Sequence, residues 1–351
     1  MAYTTIDKPS DYFETKLYTG NGGTQSITGL DFQPNWVWIK DRDDTYKHIL
    51  VDSVRGATKH LASSLTAAEI TNTANVTSFT SDGFALSSDG NVNANADKYA
   101  SWNWKAGTAF SNDASSTGIG SIDSTGSVNQ TAGFSIVSFT GNATAGATIA
   151  HGLGAVPSWI LLKDRDLAKN WNSYHKGIDS SPQNFTIRLN NTDAKLDTPA
   201  NGWNDTAPTS SVFSIGDGTQ VNTSGSNMIA YIFAEKQGYS KFGSYIGNGN
   251  ADGTFVYTGF KPAFTIIKKT DTTNSWMVGD NKINPFNVTD NMLRADLNNA
   301  QQSGNYVDYL SNGFKPRLSG NAFNGSDGTY IYMAFAENPF VTSTGVPATA
   351  R

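Results

Sequence analysis

The sequence predicts an all-β chain made of three tandem, related antiparallel β-sandwiches of jelly-roll or concanavalin-like type. Three observations point there: a composition dominated by turn formers, short apolar runs bounded by Gly, Asn and Asp, and a set of landmarks that recurs three times in one order. Only 16% of the 351 residues are charged, and 34 are Gly; ordinary soluble domains carry roughly 25% charge. Just four glutamates (Glu14, Glu69, Glu235, Glu337) stand among 30 acids, so Asp dominates. Asp, Asn, Gly and Ser favour turns, whereas Glu-rich segments favour helix.

The landmarks define the units in chain order. Each opens on a Gly-Asn turn: YTGNG from Tyr18, FTGNA from Phe139 and YIGNG from Tyr245. Fourteen, 16 and 15 residues after Gly20, Gly141 and Gly247 come Pro34, Pro157 and Pro262. Each proline stands two residues before an aromatic strand: WVWIKDRDD from Trp36, WILLKDRDL from Trp159 and FTIIKKTDT from Phe264. A closing aromatic strand follows, YASWNWK from Tyr99, IAYIFAE from Ile229 and IYMAFAE from Ile331. Before it stands DGF at Asp82 or NGF at Asn312, with no clean counterpart in the second unit. The units are assigned to residues 1–105 (with an N-terminal arm), 132–237 and 238–340. Residues 106–131, rich in Ser, Gly and Thr, read as a linker, and 341–351 as a C-terminal arm. Between the second and third units only KQGYS intervenes, which places them in direct contact.

Within the units, WVWI is apolar on both faces and reads as a central strand covered on both sides. Alternation in ASWNWK puts Trp102 and Trp104 on one face, and Phe134 to Asn142 reads as a strand ending in a turn. The one helical expectation is KHLASSLTAAEI, Lys59 to Ile70.

Composition excludes several functions. A net charge of −5 gives no basic footprint for nucleic acid. The absence of Cys removes disulfides, thiolate nucleophiles and thiolate zinc sites. The N-terminus has no signal-peptide pattern, and no apolar run is long enough to insert in a membrane. P-loop, GxSxG and GxGxxG motifs are missing.

The charged end of WVWIKDRDD raises three chemical readings. As a calcium loop, Asp41, Asp43 and Asp52 span twelve positions, but Tyr46 occupies the place that requires Gly and no Glu closes the loop. As a glycosidase pair, Asp41 and Asp43 sit beside Lys40 and Arg42, which lower rather than raise a carboxylate pKa. The structural alternative makes this segment the water-facing exit of a core strand, and the third unit, which keeps only Asp271, agrees with that. His48, His60, His151 and His175 form no ligand motif. Most Trp and Tyr fall at strand spacing and read as core, with a minority left for sugar stacking. No catalytic, metal or cofactor residues are assigned, and the expectation is a protein without enzymatic activity or cofactor.

The stretch YTTIDKPSDYFETKLYTGNGGTQSITGLDFQPNWVWIKDRDD, with DSVRGATKHL, TSFTSDGFALSSDG and YASWNWKAG, resembles a family of virion structural proteins of marine tailed bacteriophages. MAFAENPF near the C-terminus resembles the last unit of that family. The resemblance implies a tail fibre or appendage assembled in the bacterial cytoplasm and localised to the virion. Other virion proteins are its implied partners, with a homotrimer as the expected oligomer and host surface glycan as a further contact. A capsid decoration protein and a lectin-like receptor-binding module are the alternatives, and a depolymerase is the least supported. No nucleic-acid partner or membrane insertion is expected.

Overall fold

The computed structural model describes residues 2–198 and 200–348. It is nearly all β, in antiparallel sheets. Three large sheets follow one another along the chain. In spatial order the first runs Phe13–Thr19, Lys98–Trp104, Trp36–Asp41, Ile49–Asp52, Lys59–Leu61, Ile70–Thr71. The second runs Thr108–Asn112, Ser124–Asn129, Phe134–Thr140, Asn227–Phe233, Trp159–Asp164, Asn172–His175, Phe185–Arg188, Leu196–Asp197. The third runs Ser240–Ile246, Thr329–Pro339, Phe260–Lys269, Trp276–Asp280, Thr289–Arg294, Gln302–Leu310, Gly313–Pro316, Val256–Tyr257. One strand order recurs in all three, and the register is equivalent. Trp36 lies between Trp104 and Asp52, Trp159 between Phe233 and His175, and Phe264 between Phe335 and Asp280.

The recurring Gly-Asn turn has a steric cause. A Cβ on Gly20, Gly141 or Gly247 would lie 2.0, 2.3 and 2.3 Å from the carbonyl oxygen of Ala94, Thr223 and Gly325 respectively, so only glycine lets the two backbones cross. Next to each crossing stands a fully buried asparagine that the sequence did not announce: Asn93, Asn222 and Asn324. Each accepts at Oδ1 from the backbone N–H of Asn21, Asn142 and Asn248, at 2.9, 2.8 and 3.0 Å. Each also donates from Nδ2 to a carbonyl of the facing Gly-Asn turn, that of Gly23, Thr144 and Asn250 respectively. The counterpart missing from the second unit is Phe213, which pairs with Ile149 as Phe84 pairs with Ile27 and Phe314 with Val256. Val212 stands where the other two carry glycine, which hid the match.

Alternation along the central strands divides the core. Trp36 and Trp38, Trp159 and Leu161, and Phe264 and Ile266 all enter one shared cluster. Val37 and Ile39, Ile160 and Leu162, and Ile267 enter three separate clusters, one per sheet. The three sheets therefore face one another around a common axis. On it Trp104, Phe233 and Phe335 meet pairwise, with ring centroids 6.4, 5.8 and 5.9 Å apart. All eight tryptophans are fully buried.

Equivalent hydrogen bonds close the ring. The backbone N–H of Glu69, Lys195 and Gln301 donates to the carbonyls of Arg165, Thr270 and Arg42. Ring N–H groups of Trp171, Trp276 and His48 donate to Ala62, Arg188 and Arg294 carbonyls at 2.8, 2.9 and 2.9 Å. Each of these bonds links one sheet to the next, and the last set links the third back to the first.

Two expectations are corrected. Residues 106–131 are not an unstructured linker: Thr108–Asn112 and Ser124–Asn129 pair with each other, and the latter with the strand Phe134–Thr140. Ile122 enters the second sheet's own core while Phe110 and Val128 pack against it, so three apolar residues suffice to anchor the segment on an otherwise bare edge. Lys59 to Ile70 is not a helix; Lys59 and His60 pair with Thr71 and Ile70 across a loop. That loop carries the Ala62 carbonyl and Glu69 into contact with the second sheet, and these contacts outweigh a modest helical propensity. The C-terminal arm is described to residue 348; Asp7 near the other terminus accepts from the Ser343 N–H at 2.6 Å. No helix among the described residues is long and apolar enough to cross a membrane.

Candidate functional site

At the charged landmark the water-facing expectation holds for Asp43, Asp44, Asp166 and Asp271, which are exposed, and is overturned for the residues just before them. Lys40, Asp41, Lys163, Asp164 and Lys268 are fully buried, and Lys269 is nearly so. Lys40, Lys163 and Lys268 occupy one equivalent position, and each ammonium is taken up by carbonyls at the strand end. Lys40 Nζ donates to Asp41 O at 2.5 Å and Asp44 O at 3.1 Å. Lys163 Nζ donates to Asp164 O and to Thr66 O of the first unit. Lys268 Nζ donates to Lys269 O and to Thr192 O of the second. Burial pushes all three pKa values down to about 8.

Asp41 Oδ1 accepts from the N–H of Asp43 and Asp44, and Asp164 Oδ1 from those of Asp166 and Leu167, so each folds its own turn. The acid that all three units retain has a different task. Asp43, Asp166 and Asp271 accept from the first N–H of the neighbouring strand, at Lys98, Asn227 and Thr329. The segment is thus a structural joint.

Three of the four histidines are likewise structural; the buried His60 makes no ring hydrogen bond among the described residues. His48, His151 and His175 each accept at Nδ1, from Trp38 Nε1 and from the N–H of Leu153 and Gly177. Each pairs through Nε2 with a carbonyl, of Arg294, Thr209 and Tyr332. These partners require the neutral Nε2–H tautomer, and a second proton would face a donor. Burial pushes His48 down to about 3 and the other three down to about 4. Among the described residues no three His, Cys, Asp or Glu gather in a way that could hold a metal ion.

One feature breaks the threefold pattern: a cleft of about 620 Å³ on the third unit. Its wall includes the loop 281–288, the Ser311-Asn312 hairpin turn, Lys261, Glu337 and Asn338. The loop starts as its equivalents do. Asp280 Oδ1 accepts from the Lys282 and Ile283 N–H groups, as Asp52 Oδ1 accepts from those of Val54 and Arg55. It then diverges. Asn284 bonds Asp290 and the Asn291 N–H, and Asn287 bonds both the N–H and the carbonyl of Tyr309, as a strand partner would. Between these two pins, Phe286 is 77% exposed. Ile283 of this loop packs against the shared core, as its counterpart Ile178 does in the second unit, so Phe286 is an additional apolar residue that the core does not take up. Across the cleft, Lys261 Nζ and Glu337 Oε2 pair at 2.6 Å, so their charges cancel. The sequence marks Asn312 only as part of the NGF landmark and Glu337 only as one of four glutamates, neither as a site; the nearest signal for the loop is the run of Asn and Pro around Phe286.

Residues 8–339 match the family described as Domain of unknown function (DUF7483), and the chain belongs to that family. A search of curated proteins finds no match.

Proposed function

Taking membership of that family as the premise, we propose that this chain is a non-enzymatic structural component of a tailed-bacteriophage virion, a tail-fibre or appendage protein. In this proposal it comprises three tandem related β-sandwich domains of jelly-roll or concanavalin-like type. The single observation that supports it best is the closed ring. Three equivalent sheets share one aromatic core, and His48, His175, Lys163 and Lys268 each hydrogen-bond from one unit to another. A body of this kind is suited to rigidity and attachment. The phage assignment itself rests on the resemblance of the first unit. The proposed partners are other virion proteins and, as for symmetric phage appendages generally, further copies of the chain in a homotrimer.

Mass spectrometry and labelling of purified particles test this. Recovery at a copy number matching tail sites supports the proposal; a copy number matching the capsid lattice favours a decoration protein; absence from particles overturns both. A second reading, a carbohydrate-binding module for host surface glycans, is favoured by the cleft beside Phe286.

A further inference from the structure

We propose that the cleft of the third unit binds a neutral, hydroxyl-rich saccharide, with Phe286 as the stacking platform and Asn312 and Asn338 as the polar readers. This deepens the carbohydrate-binding reading and does not depend on where the protein resides.

Four of the five asparagines that line the cleft divide by role, the fifth being the buried Asn281. Asn284 and Asn287 are consumed in building the loop, each fixed by hydrogen bonds to backbone or to Asp290. Asn312 and Asn338 are half-buried on the wall, and their carboxamides take part in none of the hydrogen bonds among the described residues. A carboxamide offers donors and an acceptor side by side, which matches adjacent sugar hydroxyls.

Phe286 supplies the complementary apolar surface. It is the most exposed large hydrophobic residue among those described, and it is held between two pinned neighbours rather than at a free terminus. A preformed aromatic face loses little conformational freedom when a ring of C–H groups packs on it. The volume of about 620 Å³ falls within the roughly 300–1,000 Å³ of small-ligand sites.

Charge selects the class of sugar. The cleft's one lysine and one glutamate neutralise each other at 2.6 Å, so no uncompensated cation waits for a carboxylate or sulfate. A uronic-acid polymer would find no charged partner, whereas neutral hexoses and N-acetylhexosamines need none. The other two units carry no counterpart to Phe286 on their loops, which restricts the site to one per chain.

The test uses the full chain with two sets of probes. Neutral oligomers of glucose, mannose and N-acetylglucosamine form one set, and oligomers of galacturonate and alginate the other. Saturation-transfer NMR and calorimetry are expected to show binding of at least one neutral oligomer. Phe286→Ala is expected to weaken it by about tenfold or more, equivalent to about 1.4 kcal/mol, while Phe286→Tyr retains it. Because Phe286 is exposed, both variants should melt with the parent. Silence across the neutral set, preference for the anionic set, or binding unmoved by Phe286→Ala each overturns the proposal. None of these results bears on recovery of the chain in particles, so the two readings fail separately.

Discussion

Where the first unit meets the second, two buried charges, Asp52 and Arg55, are linked to two partly exposed ones, Glu69 and Arg165; at the equivalent seam between the second and third there is a neutral imidazole instead. Asp52 Oδ2 takes Arg55 Nε at 2.5 Å and the hydroxyl of Tyr231, from the second unit, at 2.7 Å. Arg55 continues to Glu69 at 3.1 Å, and Glu69 binds Arg165 of the second unit through both oxygens, at 2.9 and 3.0 Å. His175 occupies the position of Asp52, and its Nε2 donates to the Tyr332 carbonyl of the third unit at 3.1 Å. The facing side chain explains the choice. Tyr231 and Trp102 present donors, to Asp52 and Asp280 respectively, whereas Met333 at the same register presents none. An acid is used where the opposing wall donates, and a histidine where only a backbone acceptor is offered. One geometry is thus satisfied by two chemistries, and they should fail differently.

The largest effect is expected at the ionic seam. Arg55→Met leaves Asp52 buried without its cation and Glu69 with one arginine fewer, and should cost about 3–5 kcal/mol in a denaturant titration. A loss below 1 kcal/mol would show that the network is solvated and the contrast between seams is unfounded. At the neutral seam, His175→Phe deletes two hydrogen bonds but strands no charge. It orphans the Tyr332 carbonyl and the Gly177 N–H, and should cost about 1–3 kcal/mol.

Acid separates the seams by pH. His175 titrates at about 4 in the fold, below its ordinary 6.5, because burial disfavours the charged ring. Between these values the unfolded chain holds the extra proton, so stability falls as pH drops from 6.5 to 4. The limit is about 1.4 kcal/mol per pH unit for each such histidine. Glu69 behaves as a paired carboxylate: burial opposes its charge, but Arg165 and Arg55 outweigh burial and hold its pKa below 4.5. Its contribution is present above 4.5 and is lost only as pH falls through its lowered folded value. Thermal melts across this range should therefore lose stability first through the histidines, and His175→Gln should flatten the slope above pH 4.5 while leaving the more acidic limb in place. The smallest effect is at the turn: Asp41→Ala should cost about 1 kcal/mol by freeing two N–H groups. A neutral outcome there would return the segment to an exposed strand exit.

Legibility followed locality. Strand periodicity identified WVWI as a strand buried on both faces because alternation is a property of neighbouring residues. The Gly-Asn turns stood out because glycine is the one residue that permits the crossing at Gly20, Gly141 and Gly247. Asn93, Asn222 and Asn324 did not stand out, since an asparagine that clamps a loop looks like any asparagine in an Asn-rich chain. Phe286 was unmarked because aromatics were read as core first, although the Asn and Pro around it mark a loop; the pins at Asn284 and Asn287, which hold that loop, are tertiary contacts.

By itself the sequence determined the β class, the threefold recurrence of landmarks and the burial of the aromatic half of each central strand. These depend on spacing and side-chain polarity within a few residues. The tertiary structure decided that Lys40 and Asp41 lie inside, that residues 106–131 join a sheet, and that the ring closes through Asp52, His175 and Asp280. A polar group can be buried only where partners meet it, and here many of those partners come from another unit, as when Thr66 supplies the carbonyl for Lys163. Such pairings become visible only once the three sheets face a common axis.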